Sequence, residues 1–457
     1  MKIKLSRREM LEALGGGIGL FGLAGAFSGL SQSEVHAAGL GNYAGPALPA
    51  KAKHVIMLYL NGGPSQLDMF DPKPALFKYA GQRPSAVDLR TERVTAGLFP
   101  SPFEFKRYGR NGVEISELLP QLATVVDEMC IIRSMYTFNP THTPARALLH
   151  TGSVLATRPS VGSWVTYGLG TENQNLPAFV ALASPGGPMT RSGFLPSEYQ
   201  GVGFQVNDPD PEKIIPNITN KKMNAEAQRV DMDALLSLNQ RYTKSFGADQ
   251  FLEGRIKSME TAYRMQFEAL ELFDIRKEPP NIRDEYGPTP FGTGCLLARR
   301  LVEAGVRFVN VDYPGGQIWD DHRDVNDNLR KRCPDMDQAA AALIRDLKRR
   351  GLLDETLVVW GGEFGRTPVS ESGSGRDHNP YGYTMWVAGG GFKGGIAYGA
   401  TDEFGFKAEQ NRVSIHDLHA TMLHQLGMDH TKLTYRYAGR DFRLTDVFGE
   451  VVTDILA

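Results

Sequence analysis

Cysteine is nearly absent from this 457-residue chain, and the three that occur, Cys130, Cys295 and Cys333, are odd in number and far apart. They give neither a disulfide framework nor a C-x-x-C metal spacing. Charge of one sign is missing too: 50 Lys and Arg stand against 52 Asp and Glu, a formal net charge of -2. That balance leaves no electrostatic footprint for a nucleic-acid partner. No internal repeat is present, which excludes a solenoid or propeller. Uninterrupted apolar runs of membrane-spanning length are lacking as well. The uncharged stretch Ala13 to Leu30 is rich in glycine and only moderately apolar, a poor span.

What that stretch does carry is a processing pattern. Ser6-Arg7-Arg8 precedes it, and Val35-His36-Ala37 offers a small-x-small cleavage site. The pattern predicts a twin-arginine signal peptide over residues 1–37, with the Tat export machinery as a partner and a periplasmic or secreted product. Such a route carries folded protein, so a metal can be loaded before export. The remaining chain of about 420 residues suits one large α/β domain, expected over 50–455, with an insertion.

Continuous apolar runs bounded by turn residues mark buried strands: His54 to Leu60, Arg307 to Tyr313, Thr356 to Trp360 and Tyr383 to Ala388. Helical patterns lie between them, Phe291 to Ala304 stopped by Gly305 and Asp335 to Arg350 stopped by Gly351. Alternating strand and helix predict an α/β fold with a mostly parallel central sheet covered on both faces. From about 220 to 280 the sequence turns to long, charged helical stretches in which Leu235, Leu236 and Leu238, then Met259, Tyr263, Met265 and Phe267, are spaced for amphipathic packing. This predicts a helical insertion.

The run Thr141 to Gly152, THTPARALLHTG, reads as a short capped helix. Thr143 is placed as N-cap, Pro144 as the first helical residue and Gly152 as C-cap. His142 then stands at a helix N-terminus, where unpaired N–H groups favour an anion, and Arg146 lies in the first turn as a planar guanidinium suited to phosphate or sulfate oxygens. The run resembles the catalytic signature of type I sulfatases, C/S-x-P-S-R-x-x-L-x-T-G. Pro144, Arg146, Leu149, Thr151 and Gly152 match it, whereas His142 replaces the Cys or Ser nucleophile and Ala145 the second Ser. Formylglycine chemistry, which starts from Cys or Ser, is thereby excluded. His142 is left as a nucleophile, a general base or a metal ligand, with Thr141 and Thr143 as hydroxyl nucleophile candidates one position off the motif.

Ligands of open α/β sheets bind at the carboxyl ends of the strands. The residues there are Asn61, Asp320 and His322, Glu363, and His378 within Asp377-His378-Asn379. With His142 they form a mixed imidazole, carboxylate and amide set suited to zinc, manganese or, with more oxygens, calcium. The arrangement resembles the alkaline phosphatase superfamily, which includes the sulfatases. Within it, LNGGPSQLDMFDPKP, WDDH, GGEFGRTP and GRDHNPYGYTMWVAGGGFKGG are similar to the bacterial domain-of-unknown-function family 1501, typically Tat-exported. Where the superfamily commonly has an Asp after its first strand and Asp-His after a later one, this chain has Asn61 and Glu363-Phe364. The resemblance therefore implies one metal per chain rather than two, held by Asp320, His322 and His378 with Glu363 and Asn61 as further candidates.

The activity implied is a metal-dependent hydrolase of sulfate or phosphate esters acting on a small-molecule or glycan ester. His142 and Arg146 are the expected catalytic residues, and Thr143, Arg146 and Lys393 the expected substrate contacts. The alternative is a secreted binding or scaffold protein that keeps the fold without turnover. Two further features have simpler expectations. Ser414 and Asp417 form an S-x-x-D capping box for a helix bearing His416 and His419 one turn apart, and Asp68 and Asp71 belong to turns.

Overall fold

The computed structural model describes residues 45–85, 91–182, 187–219, 222–246 and 250–457; the export segment expected at 1–37 lies outside them. The central sheet contains β1 (His54–Tyr59), β3 (Met129–Tyr136), β4 (Phe179–Leu182), β5 (Val202–Phe204), β6 (Phe308–Asp312), β7 (Thr356–Gly361), β10 (Tyr383–Ala388), β11 (Ile396–Tyr398) and β12 (Val413–Ser414). Its order is β11-β3-β10-β7-β1-β6-β4-β5, with β12 also on β3. All pairings are parallel except those of β10, which runs antiparallel to both β7 and β3. A smaller sheet of β2 (Thr95–Leu98), β8 (Gly365–Glu371) and β9 (Gly375–Asn379) stands over the end of β7.

Because successive strand side chains point to opposite faces, a strand buried on both sides feeds two cores. In β1 and just beyond it, Ile56, Leu58 and Leu60 join one core while Val55, Met57 and Tyr59 join the other. The first is covered by α4 (Gln250–Phe273), α5 (Pro290–Glu303) and α6 (Val325–Arg349), and the second by α1 (His142–Thr151), α2 (Val161–Leu169) and α7 (Ile415–Gln425). Between 220 and 280 lie α3 (Ala225–Phe246) and α4, the latter seating Ala262, Met265, Ala269 and Phe273 in the first core. Among the described residues no helix is long and apolar enough to cross a membrane.

Two helix boundaries differ from expectation. α6 begins at Val325, ten residues before Asp335, and runs through Pro334. Pro cannot donate to the preceding turn, so it reads as a stop; here the apolar face formed by Val325, Leu329, Cys333 and Met336 is buried on both sides of it and holds the helix together. α1 begins at His142, with Thr141 rather than Thr143 as N-cap. Gly152 does end it, in the left-handed conformation at φ 65°.

Candidate metal centre

The site forms where the loops after β1, β6 and β7 meet the β8–β9 hairpin and the start of α1. Close backbone approach makes this convergence feasible. A methyl group on Gly62, whose φ is 121°, would come within 2.5 Å of the Asp320 amide nitrogen, and one on Gly375 within 2.0 Å of the His322 carbonyl. Both positions therefore require glycine for the Asp320–His322 loop to fit between β1 and β9.

Asp320 is the centre. Its Oδ1 accepts from the Arg366 guanidinium at 2.6 Å and lies 3.0 Å from Nε2 of both His378 and His322; its Oδ2 lies 3.2 Å from Nε2 of His142. The other nitrogen of each ring is anchored. His142 Nδ1 donates to Glu363 Oε1 at 2.7 Å, His378 Nδ1 to the Pro140 carbonyl at 2.7 Å with Glu92 Oε2 at 3.0 Å, and His322 Nδ1 to Glu371. With Nδ1 held in this way, all three rings turn Nε2 toward one carboxylate. This is the pattern of metal-binding histidines, whose far nitrogen donates to a carboxylate or carbonyl that fixes tautomer and ring angle.

Two observations show that this set fits a divalent cation. The Nε2 atoms of His142 and His322 are buried and face the Asp320 carboxylate at 3.2 and 3.0 Å outside good hydrogen-bond geometry. In addition, His142, Asp320 and His378 offer ligand atoms within 4.8 Å of one another, as do His322, Asp377 and His378. Each group joins two imidazoles to one carboxylate, a zinc- or manganese-type donor set; calcium prefers more oxygens.

The electrostatics follow from the geometry. Burial opposes the charge of Asp320, but the three imidazoles and Arg366 hold its carboxyl far below the usual range. Burial likewise opposes charge on His142, and the carboxylates of Asp320 and Glu363 outweigh it, lifting the imidazole to about 9. His378, more deeply buried, is lowered. Phe364 packs its ring against His142 and His378 at centroid distances of 4.9 and 4.5 Å, excluding water from their flank.

The structure thus brings His142, Asp320, His322 and His378 together and gives the other expected residues different places. Glu363 is not among the converging ligand atoms. Its oxygens accept from His142, from the Tyr59 hydroxyl at 2.9 Å and from the Gly62 N–H at 3.1 Å, so it stands one residue behind. Asn61 turns its amide oxygen to Tyr59 at 3.3 Å rather than to the cluster. Lys393 is at the opposite end of the sheet, because antiparallel β10 carries the chain away, and its Nζ donates to the Asp454 carbonyl at 2.9 Å. Thr143 is exposed on the first turn of α1. Arg146 shares a face of α1 with His142 and His150, four residues apart each, and its Nε is buried without a partner.

Sequence reasoning missed Arg366, Glu371 and Glu92. Arg366 is fully buried and, besides Asp320, donates to the carbonyls of Gly63 (2.8 Å), Arg376 (3.0 Å), Trp319 (3.1 Å) and Gly62. Its signal was a cationic residue inside an otherwise buried strand. Asp68 also differs from a simple turn residue: it forms a fully buried, two-pronged ion pair with Arg376 at 2.9 and 3.2 Å.

A family model described as "Protein of unknown function (DUF1501)" matches residues 52–456. No curated protein matches. Among solved structures, the chain is similar to the PsFucS1 sulfatase from Pseudoalteromonas sp., at 14% identity over 86% of this chain and 75% of that one, with a TM-score of 0.33. It is similar to the lipoteichoic acid synthase LtaP from Listeria monocytogenes at 11% identity over 90% and 78%, TM-score 0.35. The phosphonate monoester hydrolase of Agrobacterium radiobacter gives 10% identity over 82% and 74%, TM-score 0.36.

Proposed function

The chain belongs to the DUF1501 family, and from that premise we propose that it is an exported, metal-dependent hydrolase of sulfate or phosphate esters. The observation that carries the reading is the convergence of His142, His322 and His378 through Nε2 on Asp320, each ring braced from behind. His142, Asp320 and His378, or His322, Asp377 and His378, would hold a zinc or manganese ion. A bound divalent cation supplies charge stabilisation at an ester oxygen and makes water a better nucleophile.

The chain's own residues divide the remaining work. Glu363, Glu371 and the Pro140 carbonyl hold the imidazoles with Nε2 toward Asp320. His142 has one nitrogen on Glu363 and the other facing Asp320, which supports a ligand role over a nucleophile. Arg146, on the same face of α1 and with a free Nε–H, together with the N–H groups at the start of that helix, is suited to the outer oxygens of the anion. Phe364 shields the cluster from bulk water. One observation favours the binding-protein alternative: the signature's nucleophile position carries an imidazole held by Glu363 on one side and facing Asp320 on the other.

The test is metal content and turnover on the same preparation. Protein purified after export should carry about one divalent metal per chain, lose it in His378→Ala, and hydrolyse an aryl phosphate or sulfate in proportion to metal occupancy. Retention of stoichiometric metal by His378→Ala would overturn the ligand set. Full occupancy with no turnover, but a melting temperature raised by phosphate, sulfate or vanadate, would select the binding protein instead.

A further inference from the structure

Residues 91–94, which lead into β2, touch the supports of all three histidines. Glu92 Oε1 accepts from the hydroxyl of Thr141, the residue before His142, at 2.7 Å, and Glu92 Oε2 lies 3.0 Å from Nδ1 of His378. The Arg93 N–H donates to Asp377 Oδ2 at 2.8 Å. Its guanidinium donates at 3.3 Å to one oxygen of Glu371, whose other oxygen holds His322 Nδ1. Glu371, Asp377 and His378 are buried, whereas Glu92, Arg93 and Val94 are exposed. No hydrophobic contact fastens this strap into a core: its one apolar side chain, Val94, is 94% exposed, and none of the four residues belongs to a hydrophobic cluster. Among the described residues, the hydrogen bonds and ion pairs it makes outside itself all go to the surroundings of the three imidazoles.

An imidazole leaves a bound ion by swinging its ring, which breaks the bond at the far nitrogen, so the partners at that nitrogen govern how firmly the ion is held. Here two of those partners are themselves held from outside. Glu371 is shared between His322 and Arg93, and Glu92 between His378 and Thr141. A ring that an ion fixes also fixes the group behind it. Ion and strap therefore stabilise each other by one and the same coupling free energy.

On the metal reading of the cluster, and independently of ester turnover, we propose that residues 91–94 form a latch over the metal centre, in which Glu92 and Arg93 are positioning residues that slow the loss of the ion. Closed, the latch holds His378, Asp377 and the Glu371–His322 pair in place. Open, it frees the outer partners of His322 and His378, and the ion leaves.

The experiment follows transfer of zinc from the zinc-loaded full chain to an excess of the chromogenic chelator 4-(2-pyridylazo)resorcinol. Arg93→Ala and Glu92→Gln should each release zinc about 10–100-fold faster than the unaltered protein, and Arg93→Lys, which keeps a cation beside Glu371, should recover part of the difference. The metal-free variants should melt where the metal-free unaltered protein does, because the strap belongs to no core. Trypsin gives the reciprocal readout on the unaltered protein, since it cuts after Arg93: zinc should slow that cut by about tenfold or more, as read by mass spectrometry of the fragments. Release rates within about twofold of the unaltered protein's, or a cut after Arg93 that is indifferent to zinc, overturn the latch. So does a lowered melting temperature of the metal-free variants with unchanged zinc release, which would mean that the strap supports the fold alone. An unaltered protein that binds no zinc overturns the latch together with the metal reading; one that holds zinc behind the latch and turns over no ester keeps the latch and removes only the hydrolase reading.

Discussion

Arg366 is the residue on which the centre depends most for its shape. It has no exposed surface, and its one guanidinium reaches the Asp320 carboxylate and carbonyls from the loops after β1 and β6 and from β9. A planar fork with five donors can serve several loops at once; an ammonium cannot. Removing one member of a buried pair leaves the other uncompensated, so Arg366→Met should cost about 3–5 kcal/mol. Arg366→Lys should recover only part of that, since it keeps the charge and loses the fork. Urea unfolding of the metal-free protein measures both, and a loss below about 1 kcal/mol in Arg366→Met, at unchanged slope, would mean that the loops hold themselves.

At the scale of elements, the helix bearing His142 and Arg146 is fixed from its far end. His419 Nε2 donates to the Leu149 carbonyl and His416 Nε2 to the Gly152 carbonyl, both at 2.9 Å, satisfying groups that a helix C-terminus leaves open. α7 itself starts with the expected capping box between Ser414 and Asp417. His416 and His419 thus act as a clamp between α7 and α1, bonded to the far end of α1 from His142. Burial lowers His419 to about 3, and burial with the Arg146 charge lowers His150, on the inner face of α1, to about 3 as well. A folded pKa below the unfolded value of 6.5 means that this stability is fully present above pH 6.5 and is lost as pH falls toward about 3. In that window each histidine removes up to about 1.4 kcal/mol per pH unit. His419→Gln, which keeps a donor for the Leu149 carbonyl and cannot titrate, should flatten the slope between pH 6 and 4 (two settings chosen for the measurement, on the order of one proton less uptake). An unchanged slope in urea titrations would show that His419 is not buried neutral.

For the whole molecule, the sequence sets an expected export segment ahead of a histidine cluster built from residues that meet only after folding. Arg7 and Arg8 precede the glycine-rich stretch, while the histidine cluster joins residues from 142 to 378. A route that carries folded protein allows the metal to enter before secretion. Replacing Arg7 and Arg8 by Lys should therefore leave a folded precursor, metal included, in the cytoplasmic fraction. Fractionation and immunoblotting follow this directly, and normal export of the double variant would remove the twin-arginine reading.

Sequence alone determined what depends on neighbours along the chain. Apolar runs gave the strands of residues 54–59, 308–312, 356–361 and 383–388, because a strand buried on both faces must be apolar throughout. Gly152 marked the end of α1 because few residues other than glycine adopt its φ of 65°. His142, Asp320, His322 and His378 could be named because they follow strands or open a helix, positions whose side chains gather at one end of such a sheet. Tertiary structure decided what each does there. That Glu363 braces His142 and that Arg366 crosses to Asp320 are contacts between residues 221 and 46 positions apart, and no local pattern encodes them. Lys393 shows the same limit from the other side. Its motif reads like its neighbours', but β10, antiparallel within the central sheet, reverses the chain and delivers it to the end of the sheet away from the histidine cluster.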